Sequence, residues 1–119
     1  MKLITKAIKK KLLEAGRKDK EGKNPNPDVP LHIFNPYTIG DWFIIDMDED
    51  EDTLFGLCCI HDAELGYVSL KELEEIRVKV LGQVGLPLER DLYWEGTLED
   101  ANKKAQEKGY QCLGGSCLG

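Results

Sequence analysis

Long hydrophobic runs are missing from this sequence: none reaches the roughly 18 apolar residues that a membrane-crossing helix needs. At the N-terminus, MKLITKAIKKKLLEAG spreads lysines through its apolar positions, where an export signal keeps an unbroken apolar stretch. A cytoplasmic protein with no membrane partner is expected. Histidine is scarce, with 2 in 119 residues, and the G-x-S-x-G, phosphate-loop, dinucleotide and zincin patterns are absent. Nucleophilic catalysis needs a base beside an activated thiol or hydroxyl, whereas His32 and His61 each sit beside apolar neighbours. The sequence therefore offers no catalytic residue and implies no cofactor.

No C-x-x-C occurs among the 4 cysteines, and without an export signal reduced thiols are the default. A zinc site would have to be assembled from Cys58, Cys59, His61, Cys112 and Cys117. Cys58 and Cys59 are adjacent in an apolar run, so on a strand they point to opposite faces and read as small buried hydrophobes. No metal site is assigned, and Cys59, His61, Cys112 and Cys117 are its candidate ligands.

What the sequence does have is charge, unevenly placed. Residues 1–24 hold nine Lys or Arg against three acids, and the remainder holds seven against nineteen, within a formal net charge of -6. Lys6, Lys9, Lys10, Lys11, Arg17 and Lys18 can meet nucleic-acid phosphates, but no aromatics are interleaved for base stacking and the acidic body opposes it. Direct nucleic-acid binding is not expected. Six carboxylates crowd Asp46 to Asp52. A calcium loop counted from Asp46 needs glycine sixth and glutamate twelfth, but the sequence has Glu51 and Leu57. The stretch reads first as a hairpin tip and second as a row of charge that mimics nucleic acid to a phosphate-binding protein.

Along the chain, Thr5 caps a helix with Ile8, Leu12 and Ala15 on its apolar face and Gly16 as its stop. RKDKEGKNPNPDVP then reads as a mobile linker. Strands are expected at Leu31 to Phe34, Asp41 to Met47, Thr53 to His61 and Gly66 to Val68. SLKELEEIRVKVLG, with Ser69 and Glu72 at capping-box spacing, predicts a helix over 69–81, and Asp91 to Trp94 predicts another extended piece. Thr97 with Asp100 opens a last helix, whose exposed face carries Glu99 and Lys103, and Gly109 ends it. The fold class is α+β: an antiparallel sheet of four to five strands, a main helix on one face, and N-terminal and C-terminal helices. The expected divisions are a basic helix and start of a linker (1–24), a single domain (25–108) and a Gly/Cys tail (109–119). An unprotected edge strand can pair two copies.

The chain resembles a family of small bacterial proteins catalogued as domain of unknown function 2958, often encoded on plasmids, phages and conjugative elements. The likeness begins with MKLITKAIKKKL and continues through DTLFGLCCI. It is most specific in ELGYVSLKELEEI followed by GLPLERDLYW, and it fades after Asn102. The resemblance implies a cytoplasmic accessory protein of mobile DNA and brings no catalytic residues with it. Exposed charge beside aromatics is common at protein contacts. The expected partner-binding residues are therefore Glu64, Arg90, Asp91, Tyr93 and Trp94, together with the acidic Asp48, Glu49, Asp50 and Glu51. The expected function is a non-enzymatic interaction protein that binds a host or element protein. The alternatives are an acidic nucleic-acid mimic and a small zinc-binding module or enzyme.

Overall fold

In the computed structural model, which describes residues 3–18, 25–80 and 83–112, the elements run α1 (Lys6–Lys18), β1 (Leu31–Phe34), β2 (Asp41–Met47), β3 (Thr53–Cys59), β4 (Asp62–Ser69), α2 (Leu70–Glu75), β5 (Arg77–Val80), β6 (Gln83–Pro87), β7 (Glu89–Arg90), α3 (Leu98–Glu107) and β8 (Gln111–Cys112). The fold is α+β. Five strands form the antiparallel run β7-β1-β2-β3-β4, and β8 adds a sixth, parallel, at the β4 edge. β5 and β6 pair separately as a hairpin. Residues 19–24 of the expected linker and 113–119 of the expected tail lie outside the described residues.

WFII in β2 is apolar at four consecutive positions, the pattern of a strand buried on both faces. Its side chains divide accordingly. Trp42 and Ile44 join Leu31, Ile33 and Leu54 in one core, together with Leu12 of α1 and Leu70 and Leu73 of α2. Phe43 and Ile45 join Leu57, Cys59 and Ala63 in the other, with Leu98, Ala101 and Ala105 of α3. The sheet is thus a middle layer, with α1 and α2 against one face and α3 against the other. A register shift between Ile44 and Asp46 adds a residue to β2. It returns Met47 to the face of Trp42 and Ile44, where strict alternation would turn it away.

The acidic stretch does form the tip of the β2–β3 hairpin, and its own side chains wind the turn. Asp50 accepts the backbone N–H groups of Asp52 and Thr53, each at 2.8 Å, and the Thr53 hydroxyl at 2.6 Å. Asp52 accepts the Ser69 hydroxyl at 2.7 Å and the Lys71 N–H at 2.8 Å, which ties the tip to the start of α2. Ser69 caps α2 by accepting the Glu72 N–H.

Four expectations fail. The mobile linker over 17–30 is helix at Arg17 and Lys18, and from Asn26 to Val29 it is tied to the entry of α3, with Val29 buried, because its backbone groups find partners there. The helix over 69–81 stops at Glu75, because Ile76, Val78 and Val80 satisfy a two-residue period as well as a helical one, and β-branched side chains favour the extended form. Asp91 to Trp94 is a turn, not a strand; the strand there is Glu89–Arg90. Gly16 does not stop α1, which runs on to Lys18. Its glycine has a packing reason instead: a Cβ on Gly16 would lie 2.5 Å from the Met47 carbonyl oxygen, so α1 meets the β2 backbone at this point.

That contact reverses the usual rule for glycine in helices. Alanine in an open helix interior stabilises by about 1 kcal/mol over glycine. Here Gly16→Ala should lower the unfolding free energy by about 1–3 kcal/mol, the range for overpacking. Urea denaturation measures it, and an unchanged or raised midpoint would mean that α1 is not held by this contact.

Candidate functional site

His32 lies on β1 opposite Phe43 of β2, on the face that α3 covers. The two rings stack, with centroids 4.2 Å apart and planes within 4°. Trp94 stands edge-on to both, and Lys104 of α3 sits 5.6 Å over the indole. The imidazole is 2% exposed, yet neither nitrogen is wasted. Nε2 is 2.7 Å from Asp41 Oδ1 and Nδ1 is 2.9 Å from Asp91 Oδ2. Each ring nitrogen is thus engaged by a carboxylate, one on either side of the ring.

Each carboxylate also meets a lysine. Lys108 Nζ donates to Asp41 Oδ1 at 2.6 Å, and Lys104 Nζ lies 3.5 Å from Asp91 Oδ2. The Tyr110 hydroxyl donates to Asp41 Oδ2 at 2.8 Å and accepts the Gly40 N–H at 2.9 Å. Burial works against the charge on Asp41, but hydrogen bonds from His32, Lys108 and Tyr110 outweigh it and hold the carboxyl below its usual range. Asp91 is lowered in the same way: burial opposes the charge, and bonds from His32 and the Tyr93 N–H overcome it. Burial and the bond to Asp41 push the Tyr110 phenol up.

This cluster is built to hold rather than to react. A general base needs a lone pair aimed at substrate, and here both ring nitrogens are engaged in buried bonds. The thiols are no better placed as nucleophiles. Burial and then the charge of Asp41 raise Cys59 to about 12, and burial with Glu64 raises Cys58 to about 11. Among the described residues no three His, Cys, Asp or Glu side chains converge on a metal-sized site. Of the candidate zinc ligands, Cys59 is buried, His61 is exposed in the β3–β4 turn, and Cys112 sits on β8 beside Ala63. Cys117 lies outside the described residues.

The expected partner-binding residues are scattered over separate places. Asp48, Glu49, Asp50 and Glu51 lie on the hairpin tip, where Asp50 winds the turn and Glu51 pairs with Lys9 of α1. Glu64 is exposed on β4. Arg90 points inward and donates to the Leu3 carbonyl at 3.1 Å. Asp91 and Trp94 are half-buried and tied down: Asp91 to His32, and Trp94 to the Val29 carbonyl, to which its Nε1 donates at 2.8 Å. Between them only Leu92 and Tyr93 face solvent, at 73% and 95% exposure. Beside this turn an open cleft of about 870 Å³ runs between α1 and the 94–97 segment, with Lys11, Glu14, Asp28, Trp94 and Glu95 on its walls.

Two of these features escaped sequence reasoning. Leu92 was not singled out, because the sequence reads Asp91 to Trp94 as an extended piece and does not show the turn that exposes it. His32 did carry a signal: a histidine between Leu31 and Ile33 and an aspartate opening the apolar run of β2 fall on neighbouring strands of one meander. Asp91 arrives from the far end of the chain, and no local pattern announces it.

A family model described as protein of unknown function (DUF2958) matches residues 3–110. No curated protein and no solved structure matches the chain.

Removing one member of a buried ion pair leaves the other uncompensated, so Asp41→Asn should cost about 3–5 kcal/mol of stability at neutral pH. In the wild type, carboxyls whose folded pKa is depressed stabilise fully above the unfolded value, about 3.9 for Asp. That contribution is lost as pH falls through the lower folded values. Chemical denaturation across a pH series should show stability dropping in this acid window in the wild type and a shallower drop in Asp41→Asn. Parallel curves would mean that Asp41 carries no such linkage.

Proposed function

We propose that this chain, which belongs to the DUF2958 family of proteins of unknown function, is a non-enzymatic interaction protein that grips a protein partner through the Leu92–Tyr93 turn. The observation that carries this reading is the contrast between the turn and its flanks. Asp91 is fastened to His32 and Lys104, and Trp94 to Val29, so two adjacent large apolar side chains are held out into water on a pinned support. Exposing them adds nothing to folding, whereas a preorganised turn loses little conformational entropy on binding. Tyrosine is a common anchor in protein interfaces.

The setting is the bacterial cytoplasm, in the service of a mobile genetic element, as the resemblance implies. A second reading, the acidic mimic, keeps one supporting observation: Asp48 and Glu49 are exposed on a tightly wound tip. It has fewer free carboxylates than the sequence suggests, because Asp50, Glu51 and Asp52 are engaged within the chain and Asp48 accepts the Glu49 N–H.

A tagged pull-down from bacterial lysate at low and moderate salt separates the two. Under the first reading, Leu92→Ser with Tyr93→Ser abolishes capture of the partner at both salts, while unfolding free energy stays within about 0.5 kcal/mol, as for exposed sites generally. Capture that survives this change but is lost at moderate salt and with Asp48→Asn and Glu49→Gln belongs to the mimic. Capture of nothing at either salt defeats both.

A further inference from the structure

Among the described residues, one edge of the sheet is open. β8 pairs only with Asp62 and Ala63, and among the described residues no strand pairs with the outer side of β4 from Glu64 to Ser69. Natural edges are blunted by lysine, proline, a bulge or shortness. This one contains no Lys or Pro in ELGYVS, and its register with β3 is unbroken.

Its side chains are divided by face. Leu65 and Tyr67 lie on the face that α3 partly covers, 45% and 76% exposed, with Phe55 5.0 Å from the Tyr67 ring. Glu64 and Val68 lie on the other face, flanking Gly66. Among the described residues nothing explains that glycine: its φ is not positive, and a Cβ there would meet nothing within 4 Å. A glycine inside a strand weakens it and often marks the close approach of another backbone.

We infer that β4 pairs antiparallel with β4 of a second copy, in the register centred on Gly66. In that register Leu65 of each copy faces Tyr67 of the other, and the exposed apolar pair is covered twice. Glu64 faces Val68, so no like charges oppose one another. Gly66 faces Gly66 at the two-fold axis, where the absence of side chains lets the backbones close up. A foreign strand would have to match this pattern; a second copy matches it by symmetry. The contact is short compared with the about 1,600 Å² of a standard interface, so the dimer forms reversibly as concentration rises.

Sedimentation velocity on the full chain over a concentration series tests this. The expected result is a shift from monomer to dimer that is lost in Leu65→Lys with Tyr67→Lys, while the thermal melt of that variant is unchanged and Tyr93→Lys still dimerises. In a Cys112→Ser, Cys117→Ser background, Gly66→Cys should give a covalent dimer on oxidation and Glu64→Cys should not. A wild type that stays monomeric throughout, or a dimer that persists with both lysines in place, overturns the inference. Crosslinking at Glu64→Cys in preference to Gly66→Cys overturns the register. None of these outcomes depends on the Leu92–Tyr93 turn, so the two surfaces stand or fall separately.

Discussion

The buried ring of His32, held between Asp41 and Asp91, constrains the rest of the molecule. A buried charge is tolerable only with a partner of opposite sign and with its donors satisfied, and each partner comes from a different part of the chain. Asp41 starts β2, Asp91 follows β7, and Lys104, Lys108 and Tyr110 come from α3 and its end. Moving any one of them exposes or strands the others. The turn at Asp91 to Trp94 and the seat of α3 on the sheet are therefore set by a single electrostatic arrangement. Packing alone would leave α3 weakly placed, because Ala101 and Ala105 offer little apolar area, although their small size lets the helix approach closely.

A second anchor works through backbone. Val29 donates to the Gly96 carbonyl, Leu98 donates to the Pro27 carbonyl, and the Glu99 N–H donates to Asn26. The segment before β1 is thereby laced to the entry of α3, where Thr97 and Asp100 form the reciprocal capping box. Trp94 completes the connection by hydrogen-bonding Val29 while its ring packs on Phe43. Cap, laced segment and ion cluster all act on α3.

Local chemistry was legible in the sequence, and long-range chemistry was not. The cap of α3 and its stop at Gly109, which takes a φ of 96°, depend on neighbouring residues and could be read directly. So could the β2–β3 hairpin, whose turn is wound by its own aspartate. The failures arise where two local readings compete or where a distant contact decides. IRVKV fits both periods, and its pairing with β6 selects the strand. Gly16 looks like a helix stop until Met47, far along the chain, is seen to need the space. The site itself joins residues 32, 41 and 91, so of its three members only the first two could have been suspected from adjacent strands.

Charge is where composition misleads most. A basic head and an acidic body suggest two surfaces awaiting partners, yet part of that charge is used internally. Lys9 meets Glu51, Lys104 and Lys108 meet the buried aspartates, and Asp50 and Asp52 bind backbone and hydroxyl groups of their own turn. Carboxylates engaged in this way cannot present themselves to a groove built for phosphates without first unwinding the tip. Leu92 and Tyr93 have no such internal role. A side chain that the fold does not need is here held out by neighbours that it needs badly, and on that contrast the proposed partner contact rests.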